Sequence, residues 1–228
     1  MLEIRLLGQF EVKLDGQPVE INSRPARLLL AFLALNAGVD HPREDLAGRL
    51  WPDAEPATAR NNLRNVLYKL RESLKAGPHY LRADSETVAL DLGGQGWLDA
   101  AVLRERKDMS RLATAELIQL VGLYQGRLLP GYTENWVDVE RMRAQEAFER
   151  RLEALTERLE AEARWSELRE WSSHWITQLE HTPEAAYRGL MSAYAGLGDF
   201  AQVETTYKAC ASALKKELND PEWEPAEA

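Results

Sequence analysis

The spacing of apolar residues changes along the chain, and this change limits the folds that the chain can adopt. Apolar side chains occupy even positions from Leu2 to Leu14, with a break at Gly8, and the alternation resumes at Val19 and Ile21. A period of two is typical of strands with one buried face. From about residue 97 the period becomes that of amphipathic helices. The sequence therefore predicts a mainly α protein, with an α+β region first and an all-α helical array after it.

Three helices and a hairpin are predicted after the first strands. The first helix begins at Ser23 and ends near Gly38, the second is shorter and ends before Pro52, and the third covers about residues 56–75. Two short strands around a polar tip follow at residues 79–92. This order is that of a helix-turn-helix with a wing.

The third helix has a core face and a polar face. Its apolar stripe consists of Leu63, Val66, Leu67, Leu70 and Leu74. The opposite face and its flanks carry Thr58, Asn61, Arg64, Asn65, Tyr68 and Lys69, with Arg60 and Arg71 nearer the stripe. Residues 57–75 contain five basic residues and one acid, Glu72, so this segment has a net charge of +4.

The residue types on the polar face favour contact with DNA. Asparagine pairs bidentately with adenine and arginine with guanine in the major groove, while lysine and arginine meet phosphates. Asn61, Asn62 and Asn65 are mediocre helix formers, whereas a merely solvated face would favour Glu–Lys pairs. A solvated outer face is the alternative interpretation. On the DNA interpretation, Thr58, Asn61, Arg64, Asn65 and Tyr68 lie near base edges, and Arg24, Arg60, Lys69 and Arg71 contact phosphates.

The second half of the chain contains a weak internal repeat. Helices are predicted at about residues 99–106, 114–125 and 134–163. Beyond them, Trp165 and Phe200 are 35 residues apart, as are Trp175 and Cys210. A period near 34 is typical of tetratricopeptide helix pairs, which stack into an array with an open groove.

Four blocks of the first half together resemble a known type of domain. Residues 7–12, 24–35, 50–53 and 59–71 are similar to the winged helix of bacterial antibiotic-regulatory-protein-type (SARP-like) activators, a domain also found in OmpR-like regulators. The resemblance implies a recognition helix at about residues 56–75. It also implies that the wing, near Arg82, approaches the minor groove or the DNA backbone.

The remaining residues resemble the bacterial transcriptional activator domain, a tetratricopeptide-like module. The most specific blocks are residues 129–131 and 134–141, supported by residues 193–200 and 214–221. The resemblance implies an activator that binds direct repeats of double-stranded DNA as head-to-tail pairs and contacts RNA polymerase. The predicted domains are 1–95 for the winged helix, 96–221 for the activator module, and 222–228 for a loose tail.

Other classes of protein find little support in the sequence. The longest apolar run is too short to span a bilayer, and the single cysteine allows no internal disulfide, so a cytoplasmic protein without membrane contact is expected. The four histidines lack metal-ligand spacing, and no phosphate-binding or nucleophile motif occurs. No cofactor, metal or catalytic residue is predicted, and an enzyme would need a site assembled only in three dimensions.

The net charge of −9 argues at first against DNA binding. However, residues 1–95 have a net charge of −1 and residues 96–228 a net charge of −8. The acidity therefore lies mainly in the helical module, which could favour a basic protein partner. Two functions remain from the sequence: a sequence-specific DNA-binding transcription regulator, or an interaction scaffold whose winged helix does not bind DNA.

Overall fold

A computed structural model describes residues 1–74, 80–179 and 181–219 of the chain. Three predicted features lie outside the described residues: the end of the third helix at Lys75, the beginning of the hairpin at His79, and the tail at 222–228. The described part is mainly helical, with a mixed α/β region followed by a helical array, and the predicted fold class is confirmed.

The chain divides into two compact units. The first comprises Met1–Glu105 and Leu123–Arg141, and the second comprises Arg106–Gly122 and the chain from Met142 onwards. The first unit thus extends past residue 95, where the sequence prediction places the domain boundary.

Seven strands are found among the described residues, all of them in the first unit. They are β1 (Leu2–Arg5), β2 (Glu11–Leu14), β3 (Gln17–Pro18), β4 (His41–Pro42), β5 (Leu81–Ala83), β6 (Thr87–Leu90) and β7 (Gly96–Leu98). Two sheets result, with strand orders β3-β2-β1-β7 and β4-β6-β5. Neighbouring strands are antiparallel, apart from the parallel pair β1 and β7. The alternation in the sequence is explained by β1, where Leu2 and Ile4 are fully buried.

The strand β7 was not predicted, because the sequence shows no strand pattern after about residue 96. Trp97 and Leu98 pair with Glu3 and Ile4 of β1. A strand of three residues is too short to show a period of its own. The neighbouring Asp99 reinforces the pairing, since its carboxylate accepts hydrogen bonds from the backbone N–H groups of Leu6 and Leu7.

Among the described residues, the longer segment of the first unit contains four α-helices: α1 (Arg24–Leu35), α2 (Arg43–Leu50), α3 (Pro56–Leu74) and α4 (Asp99–Arg104). Both α1 and α2 pack against α3, and Leu29, Leu30 and Leu33 of α1 are fully buried. Ser23 occupies the N-cap position of α1 as predicted, but its side chain makes no capping hydrogen bond. Pro25 in the first turn favours the same start, because its fixed φ suits a helix and its missing N–H costs nothing there.

The segment that precedes the long helix belongs to the first unit. Leu128 forms a β-bridge with Leu7, and the backbone N–H of Leu129 donates to the carbonyl of Leu6. Gly8 permits this approach: its φ is +90°, and a Cβ there would lie 2.8 Å from the carbonyl oxygen of Gln125. The bend predicted at Gly8 therefore serves a long-range contact within this unit.

The remaining helices are α5 (Thr114–Val121), α6 (Asn135–Ala161), α7 (Trp165–Gln178), α8 (Glu184–Gly196) and α9 (Phe200–Leu218). In the second unit α7 packs on α8 and α8 on α9. Helices α7 and α9 begin at Trp165 and Phe200, the two positions that the repeat relates. No helix among the residues described is long and apolar enough to cross a membrane.

Candidate nucleic-acid interface

The faces of α3 are those that the helical pattern predicts. Its buried residues are Ala59, Leu63, Val66, Leu67, Leu70 and Leu74. Eight of the predicted DNA-contacting residues lie on this helix and are all exposed: Thr58, Arg60, Asn61, Arg64, Asn65, Tyr68, Lys69 and Arg71. Packing of the apolar stripe against α1 and α2 therefore leaves the polar face open to solvent.

The residues predicted to lie near base edges form a continuous exposed strip. Successive members of this strip are one or three residues apart, which places them along one side of the helix. They are Thr58, Asn61, Arg64, Asn65 and Tyr68. Tyr68 is an aromatic side chain with 65% of its surface exposed. Within the described residues, no hydrogen bond or ion pair engages the side chains of this strip.

The predicted phosphate-contacting residues of α3 differ in their surroundings. Arg60 forms a 3.5 Å ion pair with Glu44, and Arg71 donates a 3.1 Å hydrogen bond to the carbonyl oxygen of Ala83. Lys69 has no ion pair among the residues that the structure describes. The structure thus brings Arg71 to the hairpin β5–β6, and this contact joins the end of α3 to the wing.

Arg82 and Arg24 both have partners within the first unit. Arg82 lies on β5, with its guanidinium 3.4 Å from a carboxylate oxygen of Asp40. Arg24 donates to the carbonyl of Gly131 and to Glu134, each at 3.1 Å, and its guanidinium lies over the ring of Tyr132. Both arginine side chains remain about half exposed. Since a guanidinium has five N–H donors, these contacts leave donors for another acceptor.

Arg43 is a positioning residue that the sequence did not single out. Its backbone N–H donates to the carbonyl of Glu86 and its guanidinium to the carbonyl of Asp84, so the start of α2 holds the tip of the wing. The Asp84 carboxylate in turn accepts the backbone N–H groups of Thr87 and Glu86. These hydrogen bonds lower the pKa of Asp84 below its ordinary value. The only sequence signal was the polar tip itself.

A cleft borders the exposed strip at its C-terminal end. It has a volume of about 460 Å³, and Tyr68, Lys69, Glu72 and Glu20 contribute to its walls. The two glutamates bring negative charge to this end of the face, beside the positive charge of Lys69. Among the residues described, no group of histidine, cysteine or carboxylate side chains could hold a metal ion.

The comparison with protein families identifies the second half of the chain. Residues 97–226 match the model of the bacterial transcriptional activator domain. The matched region covers more than half of the chain, and the chain therefore belongs to this family of bacterial transcriptional activators. No curated protein matches the sequence.

A solved structure shows the same fold over almost the whole chain. The structure of Mycobacterium tuberculosis EmbR in complex with a low-affinity phosphopeptide matches with a TM-score of 0.77 and 19% sequence identity. The match covers 95% of this chain and 60% of that one, so the chain spans less than two thirds of the EmbR chain. At this identity the likeness concerns the fold. Together, the two comparisons confirm a winged helix followed by a bacterial transcriptional activator domain.

Proposed function

We propose that the chain is a sequence-specific DNA-binding transcription regulator, and an activator, that reads the major groove with the exposed face of α3. The observation that carries this proposal is the strip of Asn61, Arg64 and Asn65, whose side chains are exposed and unengaged among the described residues. Amide and guanidinium groups offer the donor and acceptor pairs that distinguish bases in the major groove. An α-helix also fits that groove.

The proposed interface divides into base-reading and phosphate-contacting residues. Base edges are read by Thr58, Asn61, Arg64, Asn65 and Tyr68. Phosphates are contacted by Arg24, Arg60, Lys69, Arg71 and, from the wing, Arg82. The intramolecular bonds of Arg71 and Arg82 support this assignment, because they orient guanidinium groups whose remaining donors suit phosphate oxygens.

The proposal extends to the organisation of the regulator. Residues 1–95 would bind DNA, residues 96–221 would form the activator module, and residues 222–228 a tail. Two chains would bind a direct repeat head to tail and contact RNA polymerase. A regulator of this kind would act in the cytoplasm, where bacterial DNA lies, and would need neither a cofactor nor catalysis.

The test is selection of bound sequences from a random DNA pool, followed by substitution of the reading face. Arg64→Ala and Asn65→Ala should each weaken binding to the selected site by about 1–3 kcal/mol and relax its specificity. Arg169→Ala, which removes an exposed arginine of α7, is the matched control and should leave affinity unchanged. Unchanged affinity in both α3 variants would contradict the recognition-helix assignment.

The alternative is an interaction scaffold in which the winged helix is structural. The net charge of −8 over residues 96–228 is the observation in its favour. Affinity for random duplex separates the two functions: phosphate contact requires measurable binding at low salt that falls steeply as salt rises. Absence of binding even at low salt would favour the scaffold.

A further inference from the structure

One largely buried arginine holds the loop that leads into α6, residues 128–134, which we call the entry loop. The side chain of Arg141, on α6, is only 10% exposed. Its guanidinium donates hydrogen bonds of 2.6–2.8 Å to the carbonyl oxygens of Leu128, Leu129 and Tyr132. A lysine could not make this set of contacts, because an ammonium group is a point charge, whereas a guanidinium holds its five donors in a fixed planar fork.

The backbone of the entry loop is strained at Leu129. This residue is fully buried and has a φ of +47°, in the left-handed region that residues other than glycine rarely adopt. Such strain persists only where the surroundings impose it, and it is concentrated at functional sites. Here the carbonyl of Leu129 accepts from Arg141, and its N–H donates to the carbonyl of Leu6 at 2.9 Å. The entry loop is therefore held in one conformation from both sides.

The entry loop in turn holds the side chain of Arg24, at the start of α1. The guanidinium of Arg24 donates to the carbonyl of Gly131 and to a carboxylate oxygen of Glu134, each at 3.1 Å, and lies 4.5 Å from the centroid of the Tyr132 ring. The other carboxylate oxygen of Glu134 accepts the backbone N–H of Thr133. All three partners of Arg24 thus belong to the loop, while about half of its side chain stays exposed.

The start of α1 lies beside the proposed DNA-reading face. Ser23 and Ala26, on either side of Arg24 in the sequence, border the same cleft as Tyr68 and Lys69 of α3. We therefore expect a duplex whose major groove holds α3 to pass its backbone near Arg24. Because the carboxylate in the entry loop offsets part of the charge of this arginine, its contact with a phosphate depends on the direction of its remaining N–H donors.

We infer that Arg141 is a positioning residue for DNA binding: through the entry loop it aims the remaining donors of Arg24 at one phosphate of the bound duplex. This inference rests on the proposed function, since it requires α3 to bind DNA. Arg141 acts at a distance, because its donors face the entry loop and Asp138. Residues 129–131 and 134–141, the blocks most typical of the activator module, then also serve the DNA-binding half of the chain.

The test uses the full chain and the duplex obtained by selection, in which single phosphates are replaced one at a time by uncharged methylphosphonates. For the wild type, replacement of the phosphate that Arg24 contacts should weaken binding by about threefold to tenfold, the change expected for one hydrogen-bonded contact. Arg24→Gln should abolish this penalty at that position alone. The pair of measurements identifies the phosphate.

Arg141→Gln should then reduce the penalty at the phosphate of Arg24 to about half or less of its logarithm, since coupled residues give non-additive effects. Penalties at other phosphates should not change. A general loss of folded protein would weaken every duplex by the same factor and leave each penalty intact, so the readout separates positioning from stability. Arg141→Lys should behave as Arg141→Gln does. Arg150→Gln, at an exposed position of the same helix, is the matched control.

The outcomes separate this inference from the proposed function. An unchanged penalty in Arg141→Gln, or the absence of any phosphate coupled to Arg24, would overturn the inference even if the α3 variants weaken binding. Absence of duplex binding by the wild type would overturn both. If Arg141→Gln does not fold, Tyr132→Leu replaces it, because it removes the ring beneath Arg24 and retains an apolar side chain. The same selective loss of the penalty is expected from that variant.

Discussion

Asp99 shows how one residue can join distant parts of the chain. Its carboxylate is 1% exposed and accepts hydrogen bonds from the backbone N–H groups of Leu6, Leu7 and Ala100 at 2.7–3.0 Å. The first two donors follow β1, and Asp99 itself follows β7, so the carboxylate fastens the parallel strand pair.

Replacement of Asp99 by asparagine should destabilise the protein. The amide offers one acceptor oxygen in place of two, and its NH₂ group would face a backbone donor. We expect Asp99→Asn to lower the free energy of unfolding by about 1–3 kcal/mol, measured by urea denaturation. Asp53→Asn, at an exposed turn, should change it by less than about 0.5 kcal/mol. A loss no larger than that of the control would show that the three hydrogen bonds contribute little.

The same residue predicts a pH dependence. Burial raises the pKa of Asp99 above its ordinary value of 3.8, against the opposing effect of the three N–H donors. The folded chain therefore holds this proton at pH values where the unfolded chain has lost it. Consequently the contribution of Asp99 to the free energy of unfolding falls as pH rises from about 3.8 through the folded pKa.

Urea denaturation of the wild type and of Asp99→Asn across this range provides the measurement. The stability advantage of the wild type should be largest at the acid end and should shrink as pH rises. An advantage that grows with pH would mean that the hydrogen bonds outweigh burial and lower the pKa instead.

Two glycines in helices should respond to alanine with opposite signs. A Cβ at Gly196 of α8 would overlap the indole ring of Trp165, whereas a Cβ at Gly48 of α2 meets nothing within 4 Å. We expect Gly196→Ala to cost about 1–3 kcal/mol of unfolding free energy through overpacking. Gly48→Ala should gain about 0.5–1 kcal/mol, because glycine weakens a helix interior. Thermal and urea denaturation measure both, and a stabilised Gly196→Ala variant would contradict the packing at Trp165.

At the level of elements, the wing depends on residues from two helices. Arg71 of α3 holds the carbonyl of Ala83, and Arg43 of α2 holds that of Asp84. Arg71→Gln should therefore speed amide hydrogen exchange in β5 and β6 several-fold, since local opening sets that rate. Lys69→Gln removes the same charge from the same helix without touching the wing. Equal exchange in the two variants would mean that Arg71 does not hold the hairpin.

At the level of the whole molecule, the distribution of charge matters more than its sum. The chain carries −9, while the third predicted helix alone carries +4. If α3 contacts phosphates, affinity for DNA should fall steeply with salt, and Lys69→Gln should reduce the slope of log affinity against log salt by about one. The control is Lys208→Gln, which removes one positive charge from α9, where Lys208 forms an exposed ion pair with Glu204. This variant should leave the slope unaltered.

Much of the architecture could be predicted because it depends on local patterns. The apolar stripe of α3, the alternation in β1 and the repeat that relates α7 to α9 all follow from which faces must be buried. The exposed face of α3 was predicted for the same reason, since the residues opposite a buried stripe must face solvent. Which of those exposed residues touch DNA stays a prediction.

Short and long-range features could not be predicted. Strand β7 has three residues, too few to show a period, and α5 ends at Val121, four residues before the predicted end at Gln125. The partners of Arg24 are more than 100 residues away in the chain. Local patterns carry no information about such pairings.

The sequence by itself determined the fold class, the helix with the basic face and the order of the two types of region, because burial of apolar side chains imposes a period on each element. Only the tertiary structure decided which arginines of the face have internal partners and how Asp99 fastens the parallel strands. These features depend on the positions of donors and acceptors from separate elements, which folding alone brings together.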